Sequence, residues 1–487
     1  MAKARDPAPA IIWFRDDLRL ADNAALRAAC ETRAPVFCIY VFEDGGGMRP
    51  LGAASRWWLH HALAALSDGL AKIGGRLDLL RGDAEKLVPQ LITEAGASAL
   101  FITRRYGGAE IALDRRIEVA ATSAGARVES FGGQLLREPE AVATKSGAYY
   151  RVYTPFWRAA SALPDPGEPL DPPSALSTAL YPGGGPARAS LAALGLLPQG
   201  PDWAEGFRRA WTPGESGAQK RLSGFLAQGL ATYGAARDEL GRGATSRLSP
   251  HLRFGEISPR QIFHGVRRQQ AQQPEAERGA DKFRAELAWR EFNYHVLYHR
   301  PDVATKNLQG RFDSLPWRDP PRAELDAWRM GQTGYPLVDA AMRELWTSGF
   351  MHNRARMVAA SFLVKHLLCD WRVGEAWFWD TLCDADPANN PMNWQWAAGS
   401  GFDAAPFFRV FNPVLQGEKF DSTGAYVRRH VPELARLPEK WIHRPWEAPA
   451  HVLSAARLKL GETYPRPIVD HASARTRALE AFARIKR

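Results

Sequence analysis

Apolar residues along the 487-residue chain fall into two regimes. Up to about position 135 they gather in short unbroken runs: AIIWF (10–14), PVFCIYVF (35–42), RLDLL (76–80), ALFIT (99–103) and RVESF (127–131). Runs without polar alternation are what strands buried on both faces need. Between them the apolar positions recur at helical spacing, as in AASRWWLHHALAALSDGLAK (53–72) and GAEIALDRRIEVAATS (108–123). Strands alternating with helices predict an α/β domain over 9–135, built on a doubly wound parallel sheet. Residues 136–202 then carry eleven prolines and the stretch YPGGGP (181–186), which predicts a connector. From 203 to 487 only helical patterning remains, for instance in DKFRAELAWREFNYHVLYH, YPLVDAAMRELWTS and NRARMVAASFLVKHLL. The second domain is therefore expected to be large and all-α. There is no internal repeat and no low-complexity tail.

Composition narrows the class. A 45% hydrophobic, 24% charged chain of this length is a soluble globular protein of two or three domains. No apolar run reaches the roughly 18 residues of a membrane span, and MAKARDPAPA has no apolar signal segment. Cys30, Cys38, Cys369 and Cys383 form no CxxC pair, which fits free thiols in a reducing compartment. A cytoplasmic protein without a metal site is expected. Lys and Arg (63) exceed Asp and Glu (53), giving a pI near 9.5. That bias suits a polyanionic partner or a merely solvated surface, and charge alone does not choose. The outlier is tryptophan: 17, against 12 tyrosines.

The first strand continues as WFRDDLRLADNAAL, with no glycine at the turn. A pyrophosphate needs the close backbone approach that GxGxxG supplies, so a nicotinamide site is not expected. The glycines at 45–47 read as a loop. HVLYH places His295 and His299 on one helix face, yet Val296 stands where a zinc peptidase needs its glutamate. TSRLSPHLRFGEISP (245–259) combines capping hydroxyls, Arg247 and Pro250 at a helix start, which makes either an anion site or a plain N-cap. In AELAWREFNYHVLY (285–298), Glu286, Trp289 and Asn293 share a helix face, a pattern suited to stacking and hydrogen-bonding a flat ring. MHNRARM (351–357) pairs Asn353 with Met357 and leaves Arg356 in need of an anion. CDADPANNPMNWQW (383–396) then packs acids, amides and indoles into fourteen residues.

Together these segments resemble the photolyase/cryptochrome family from about residue 10 to 470. WFRDDLRLADNAAL looks like its first strand and turn. TSRLSPHLRFGEISP, AWREF, GYPLVDAAMREL, MHNRARM, DADPANNPMNWQW and RVFNPVLQGEKFD look like its flavin-domain signatures. GAASRWWLHHAL and RVYTPFWRA are further similar to the bacterial class III branch, which repairs cyclobutane dimers.

The resemblance implies a U-shaped FAD in the helical domain, with Tyr233, Thr245, Ser246, Arg247, Leu248 and Ser249 on its phosphates and ribityl chain. It places Asp384 and Asp386 beside the isoalloxazine and adenine, pairs Asp384 with Arg356, and sets Asn390 at flavin N5. An amide there serves neutral and reduced anionic flavin alike, whereas a carboxylate would favour a protonated semiquinone and signalling. Trp394, Trp371 and Trp317 match the family's electron relay, running from the flavin toward solvent. This chain has one residue more than the family pattern before AWRM.

The implied reaction is light-driven electron transfer from reduced FAD that opens a cyclobutane pyrimidine dimer in UV-damaged DNA. Glu286 would hydrogen-bond the pyrimidine edge. Trp289, Trp396 and Met357 would enclose the flipped dimer beside Asn293, and Asn353 would reach adenine and lesion. Six-four photolyases carry histidines where Asn353 and Met357 stand. Arg237, Lys282, Arg290, Arg354 and Lys419 are the expected phosphate contacts. For the antenna, Gly107 replaces the familiar acidic residue after ITRRY, and no cysteine–lysine pair occurs near Ala304–Lys306. The expectation is a folate (5,10-methenyltetrahydrofolate) in a class III pocket, with a deazaflavin or no antenna as alternatives. A bacterial, cytoplasmic monomer without a protein partner is expected. The rivals are a blue-light sensor, a six-four photolyase and a plain flavin oxidoreductase.

Overall fold

The computed structural model describes residues 7–43, 47–179, 188–403 and 408–485. The YPGGGP stretch and Gly45 and Gly46 lie outside them. The described residues form two compact units: one from Met1–Asp202, Trp211–Ala231 and Ser246–Pro301, the other from Trp203–Ala210, Thr232–Thr245 and Asp302–Arg487. Compactness thus groups the Glu277–His299 helix with the sheet rather than with the later helices.

The first unit is built on five parallel strands, β1 (Ala10–Phe14), β2 (Val36–Phe42), β3 (Leu77–Arg81), β4 (Ala99–Thr103) and β5 (Arg127–Phe131), in the order β3-β2-β1-β4-β5. Each of the five apolar runs became a strand. β1 and β4 are buried at every position, while β5, at the edge, has no fully buried residue. Helices α1 (Ala24–Glu31), α2 (Ala53–Lys72), α3 (Ala84–Ala95) and α4 (Gly108–Ser123) make the crossovers. Val88, Leu91 and Ile117 from α3 and α4 pack on Ile11, Ile39, Leu100 and Ile102.

Order reverses between β1 and β4, the crevice where doubly wound sheets receive ligands. Here that crevice is closed by charge. Arg15 pairs with Asp114 (2.7 Å), and Arg105 pairs with Asp114 (2.5 Å) and Glu43 (3.0 Å). Asp17 accepts from the Arg15 backbone and the Thr103 hydroxyl, both at 2.7 Å. The glycine-free turn is therefore held by a network of charged side chains.

The proline-rich connector is not structureless: Tyr153–Ser161 is helical, with Pro155 tolerated in its first turn. On the Glu277–His299 helix, His295 Nε2 accepts from the Tyr150 backbone (3.0 Å), and His299 stacks on Tyr149 (4.8 Å, 12°). Among the described residues no group of three potential ligands could hold a metal, and no helix is long and apolar enough to cross a membrane.

Glu291, on the same helix, accepts from the backbone N–H groups of Leu136 (2.8 Å) and Arg137 (3.1 Å). Burial pushes its carboxyl up to about 7, despite Arg290 and these N–H donors. An acid whose folded value lies above its unfolded value loses stability as pH rises from the unfolded toward the folded value. Glu291→Gln keeps a neutral acceptor and avoids that loss. At pH 8 the variant should be the more stable, by roughly 2–3 kcal/mol, and the gap should close near pH 4. Urea unfolding at both pH values reads this, and a gap that ignores pH would refute it.

In the second unit the regular elements among the described residues are helices, apart from one isolated bridge, Leu460 to Tyr464. Helices Pro336–Ser348, Asn353–Ser361, Trp371–Thr381, Asn389–Ala398 and Ala425–His430 enclose a core containing Trp328, Trp371 and Trp394. A π-helical turn, Phe362–His366, follows Asn353–Ser361. Its Lys365 is buried, donates to the Ala398 carbonyl (2.7 Å) and sits 3.0 Å from the Phe408 ring centre. Lys365 thereby places an N–H donor at the C-terminal end of the Asn389–Ala398 helix, and burial pulls its amine well below the usual lysine range.

Candidate functional site

The acid- and amide-rich stretch starts the Asn389–Ala398 helix, and its side chains are already committed to fixed partners. Asp386 Oδ1 accepts from the backbone N–H groups of Ala388 (2.8 Å) and Asn389 (2.6 Å), and its Oδ2 accepts from the Asn389 amide (2.6 Å). Asp386 is thus the acceptor that opens the helix. Asp384 is nearly buried and takes a two-pronged contact from Arg356, at 3.1 and 2.8 Å. A fork of this kind fixes the guanidinium plane as well as its position. Asn390 donates its amide N–H to Glu375 Oε1 (2.8 Å) and to the Glu375 carbonyl (3.0 Å). With Nδ2 so engaged, Oδ1 is the remaining polar atom of the amide, and it can only accept.

The same helix carries Trp394, 2% exposed, edge-on to Phe378 (4.8 Å, 71°) and near Trp328 (6.2 Å). It fits because position 374 is glycine: a Cβ there would come within 2.1 Å of Trp394 Cη2. Trp371 is fully buried and donates its indole N–H to Asn307 Oδ1 (2.9 Å). Trp317 is half-buried against the same core. The three indoles thus run from full burial to partial exposure within one unit. Trp396, two positions past Trp394, is half-buried and lines a small cavity with Ser361, Lys365 and Phe408.

On the first unit, Ser246 to Ser249 lead into the short helix Ser249–Arg253, with Pro250 in its first turn. Arg247 adopts φ +51°, a left-handed conformation that costs a side-chain-bearing residue energy. Its guanidinium lies 4.5 Å from the centre of Trp211, and that of Arg221 lies 4.8 Å from the same ring. Burial, and then the charge of Arg247, pull Arg221 down to about 10. Two cations gathered on one indole make a place for an anion. Thr245 and Tyr233 belong to the second unit, where Tyr233 is buried at the start of the Tyr233–Ala236 helix.

The Glu277–His299 helix holds the other set. Glu286 is partly exposed, 3.5 Å from Lys282. Trp289 is stacked face to face on Tyr153 (3.8 Å, 5°), whose hydroxyl donates to the Ala285 carbonyl (2.8 Å). One face of Trp289 is therefore covered. Asn293 is buried, and Arg290 turns inward to donate to the Gln134 carbonyl (2.6 Å). On the second unit, Asn353 is exposed and Met357 half-buried one turn later, while Arg354 pairs with Asp238 (2.8 Å). Arg237 and Lys419 lie in the same neighbourhood, through Asp238 and Phe420 respectively.

Sequence reasoning missed Tyr153, Arg221, Glu375, Gly374 and Asp238. Two of these left a signal. A glycine inside WRVGEAWFW costs helix stability and so marks close packing, and a carboxylate one residue later, amid aromatic residues, requires a partner.

Comparison with known proteins sharpens these observations. Residues 10–174 match the model of the DNA photolyase family, and 283–484 match the FAD binding domain of DNA photolyase. The chain is 52% identical to the deoxyribodipyrimidine photo-lyase of Agrobacterium fabrum, over 99% of this chain and 98% of that one. It is 38% identical to cryptochrome-1 of Arabidopsis thaliana, covering 98% of this chain and 70% of the other. A bacterial class III photolyase from Agrobacterium tumefaciens superimposes with a TM-score of 0.95 at 51% identity, over 100% of this chain and 99% of that one. This chain belongs to the photolyase/cryptochrome family.

Proposed function

We propose that this protein is a deoxyribodipyrimidine photo-lyase, a light-dependent DNA-repair enzyme that opens cyclobutane pyrimidine dimers. The observation that carries the repair reading is Asn390, an amide held by Glu375 with its oxygen left to accept. An amide at that place serves neutral and reduced anionic flavin alike, where a carboxylate would favour signalling. FAD, when bound and reduced, supplies the photoexcited electron that splits the dimer. The chain's own groups bind and orient. Arg247, with Arg221, meets the cofactor's phosphates, together with Tyr233, Thr245, Ser246, Leu248 and Ser249. The Arg356–Asp384 fork and Asp386 hold the ring system and the adenine. Trp394, Trp371 and Trp317 relay the electron that primes the flavin.

The lesion is read by Glu286, Trp289, Asn293, Asn353, Met357 and Trp396. Asn353 and Met357 offer no histidine for proton transfer, which favours cyclobutane dimers over six-four products. Arg237, Arg354 and Lys419 meet the DNA backbone. Arg290 holds its own helix through its inward bond to the Gln134 carbonyl. The antenna is a folate, 5,10-methenyltetrahydrofolate, seated away from the switch-point crevice that Arg15, Arg105 and Asp114 fill; a deazaflavin is the second reading. The protein works as a cytoplasmic monomer.

The test is direct. Purified protein releases FAD on denaturation and, once reduced, repairs a dimer-containing oligonucleotide only under the lamp. Folded protein that takes up no FAD, or repairs nothing in light, refutes the reading. Mass spectrometry of the released chromophores identifies the antenna.

A further inference from the structure

On the second unit two arginines share a single carboxylate, and a lysine stands by the ring that carries one of them. Arg354 lays its guanidinium over the Phe420 ring, 4.3 Å from its centre, and Lys419 Nζ stands 5.2 Å from the same ring. Arg354 Nη2 is 2.8 Å from Asp238 Oδ2, and Arg237 Nε is 3.6 Å from Asp238 Oδ1. Arg237 in turn leans toward the Tyr233 ring (5.8 Å). Each guanidinium thus has an aromatic platform and one oxygen of a shared acid. The arginine side chains are only 14% and 18% exposed, while that of Asp238 is 36% exposed. Burial acts to raise the Asp238 carboxyl, but Arg354 and then Arg237 outweigh it and hold it below the usual carboxylate range. Asp238 is therefore ionised at any working pH. Two oxygens, each turned to a different arginine, are also what a backbone phosphate presents.

We propose that Asp238 is a positioning residue of the DNA-binding surface: in the free protein it takes the place of a phosphate, keeps Arg237 and Arg354 converged, and lowers affinity for undamaged DNA. The inference rests on the DNA-repair reading above. Phosphate attraction is blind to sequence and damage, so an unopposed pair of guanidiniums would hold any duplex. Specificity is a difference between affinities. A fixed acid subtracts from both, while pre-set guanidinium planes reward only the strand that brings a phosphate to one place. A strand with its dimer flipped out is displaced in that manner.

The experiment compares wild type, Asp238→Asn and Asp238→Glu in the dark, by fluorescence anisotropy on dimer-containing and undamaged duplexes over a salt series. Asp238→Asn should bind undamaged DNA several-fold tighter at low salt. Its log–log salt slope should steepen by about 0.9, so that the affinity lost between about 50 and about 200 mM salt grows by about 3.5-fold. Its preference for the dimer should shrink, and Asp238→Glu should restore both. Arg354→Gln approaches the site from the other side and should flatten the slope by a similar amount. A purely structural Asp238 would weaken both complexes without moving the slope, and that result, or an unchanged slope in folded Asp238→Asn, overturns the inference alone. A wild type with no salt-dependent affinity for DNA overturns the repair reading, and this inference with it.

Discussion

Trp394→Phe protein will bind FAD and still fail to photoreduce it, yet repair dimers almost normally once reduced chemically. The distinction follows from position. Trp394 shares a helix with Asn390 and is sealed from solvent, while Trp371 is buried and Trp317 half-exposed. A relay needs an oxidisable ring at each station, and phenylalanine is far harder to oxidise than indole. The fold should survive: losing part of a buried ring costs less than the roughly 3–5 kcal/mol of truncation to alanine. Gly374→Ala supplies the converse. It keeps the indole but pushes a methyl to 2.1 Å from Trp394 Cη2 and 2.6 Å from Leu363 Cδ2. Overpacking of this kind costs about 1–3 kcal/mol, and by shifting the first station it should slow photoreduction with all three tryptophans present. Flavin absorbance under blue light with an external reductant gives the rates, and a lamp assay on pre-reduced enzyme gives repair. Photoreduction of Trp394→Phe at the wild-type rate would remove Trp394 from the relay. Loss of pre-reduced repair with lesion binding intact would place Trp394 in the reacting pocket.

What could be read from the sequence had a local cause. Strands buried on both faces leave no polar alternation, so AIIWF and ALFIT declared themselves, and the turn after β1, which has no glycine, is tied by the Arg15 backbone N–H to the Asp17 carboxylate. The residues alone left Arg356 in need of an anion; the family resemblance named Asp384, 28 residues away, and the two are paired. What stayed hidden was non-local. Tyr153 backs Trp289 across 136 residues, from a segment whose prolines masked a short helix. Asp238 meets Arg354 across 116 residues, and no periodicity links them. Helical spacing assigns a side chain to a face but not to a partner, which is why Arg290 looked available for phosphate and is in fact turned onto Gln134.

Glu286→Ala should lower repair per absorbed photon more than it lowers lesion binding. The substitution is structurally mild. The Glu286–Lys282 contact is an i,i+4 pair at 3.5 Å with both side chains partly exposed, and such pairs contribute little. Trp289 stays fixed by its stack on Tyr153, and Tyr153 keeps its bond to the Ala285 carbonyl, so the aromatic wall outlives the mutation. What disappears is a carboxylate able to hold the polar edge of a flipped pyrimidine. A hydrogen bond to a charged group contributes roughly 1.5–3 kcal/mol, and, with the Glu286 carboxyl itself protonated or sharing a proton with the lesion, it matters most when the dimer carries the transferred electron. Stacking, which supports binding, is retained. Glu286→Gln, which can still hydrogen-bond without charge, should fall between the two. The same pre-reduced wild type should leave six-four products untouched, because positions 353 and 357 are Asn and Met. Both lesions are assayed under one lamp, with dark binding measured in parallel. Efficient six-four repair by wild type, or undiminished cyclobutane repair by Glu286→Ala, would mean that the lesion is read by other residues.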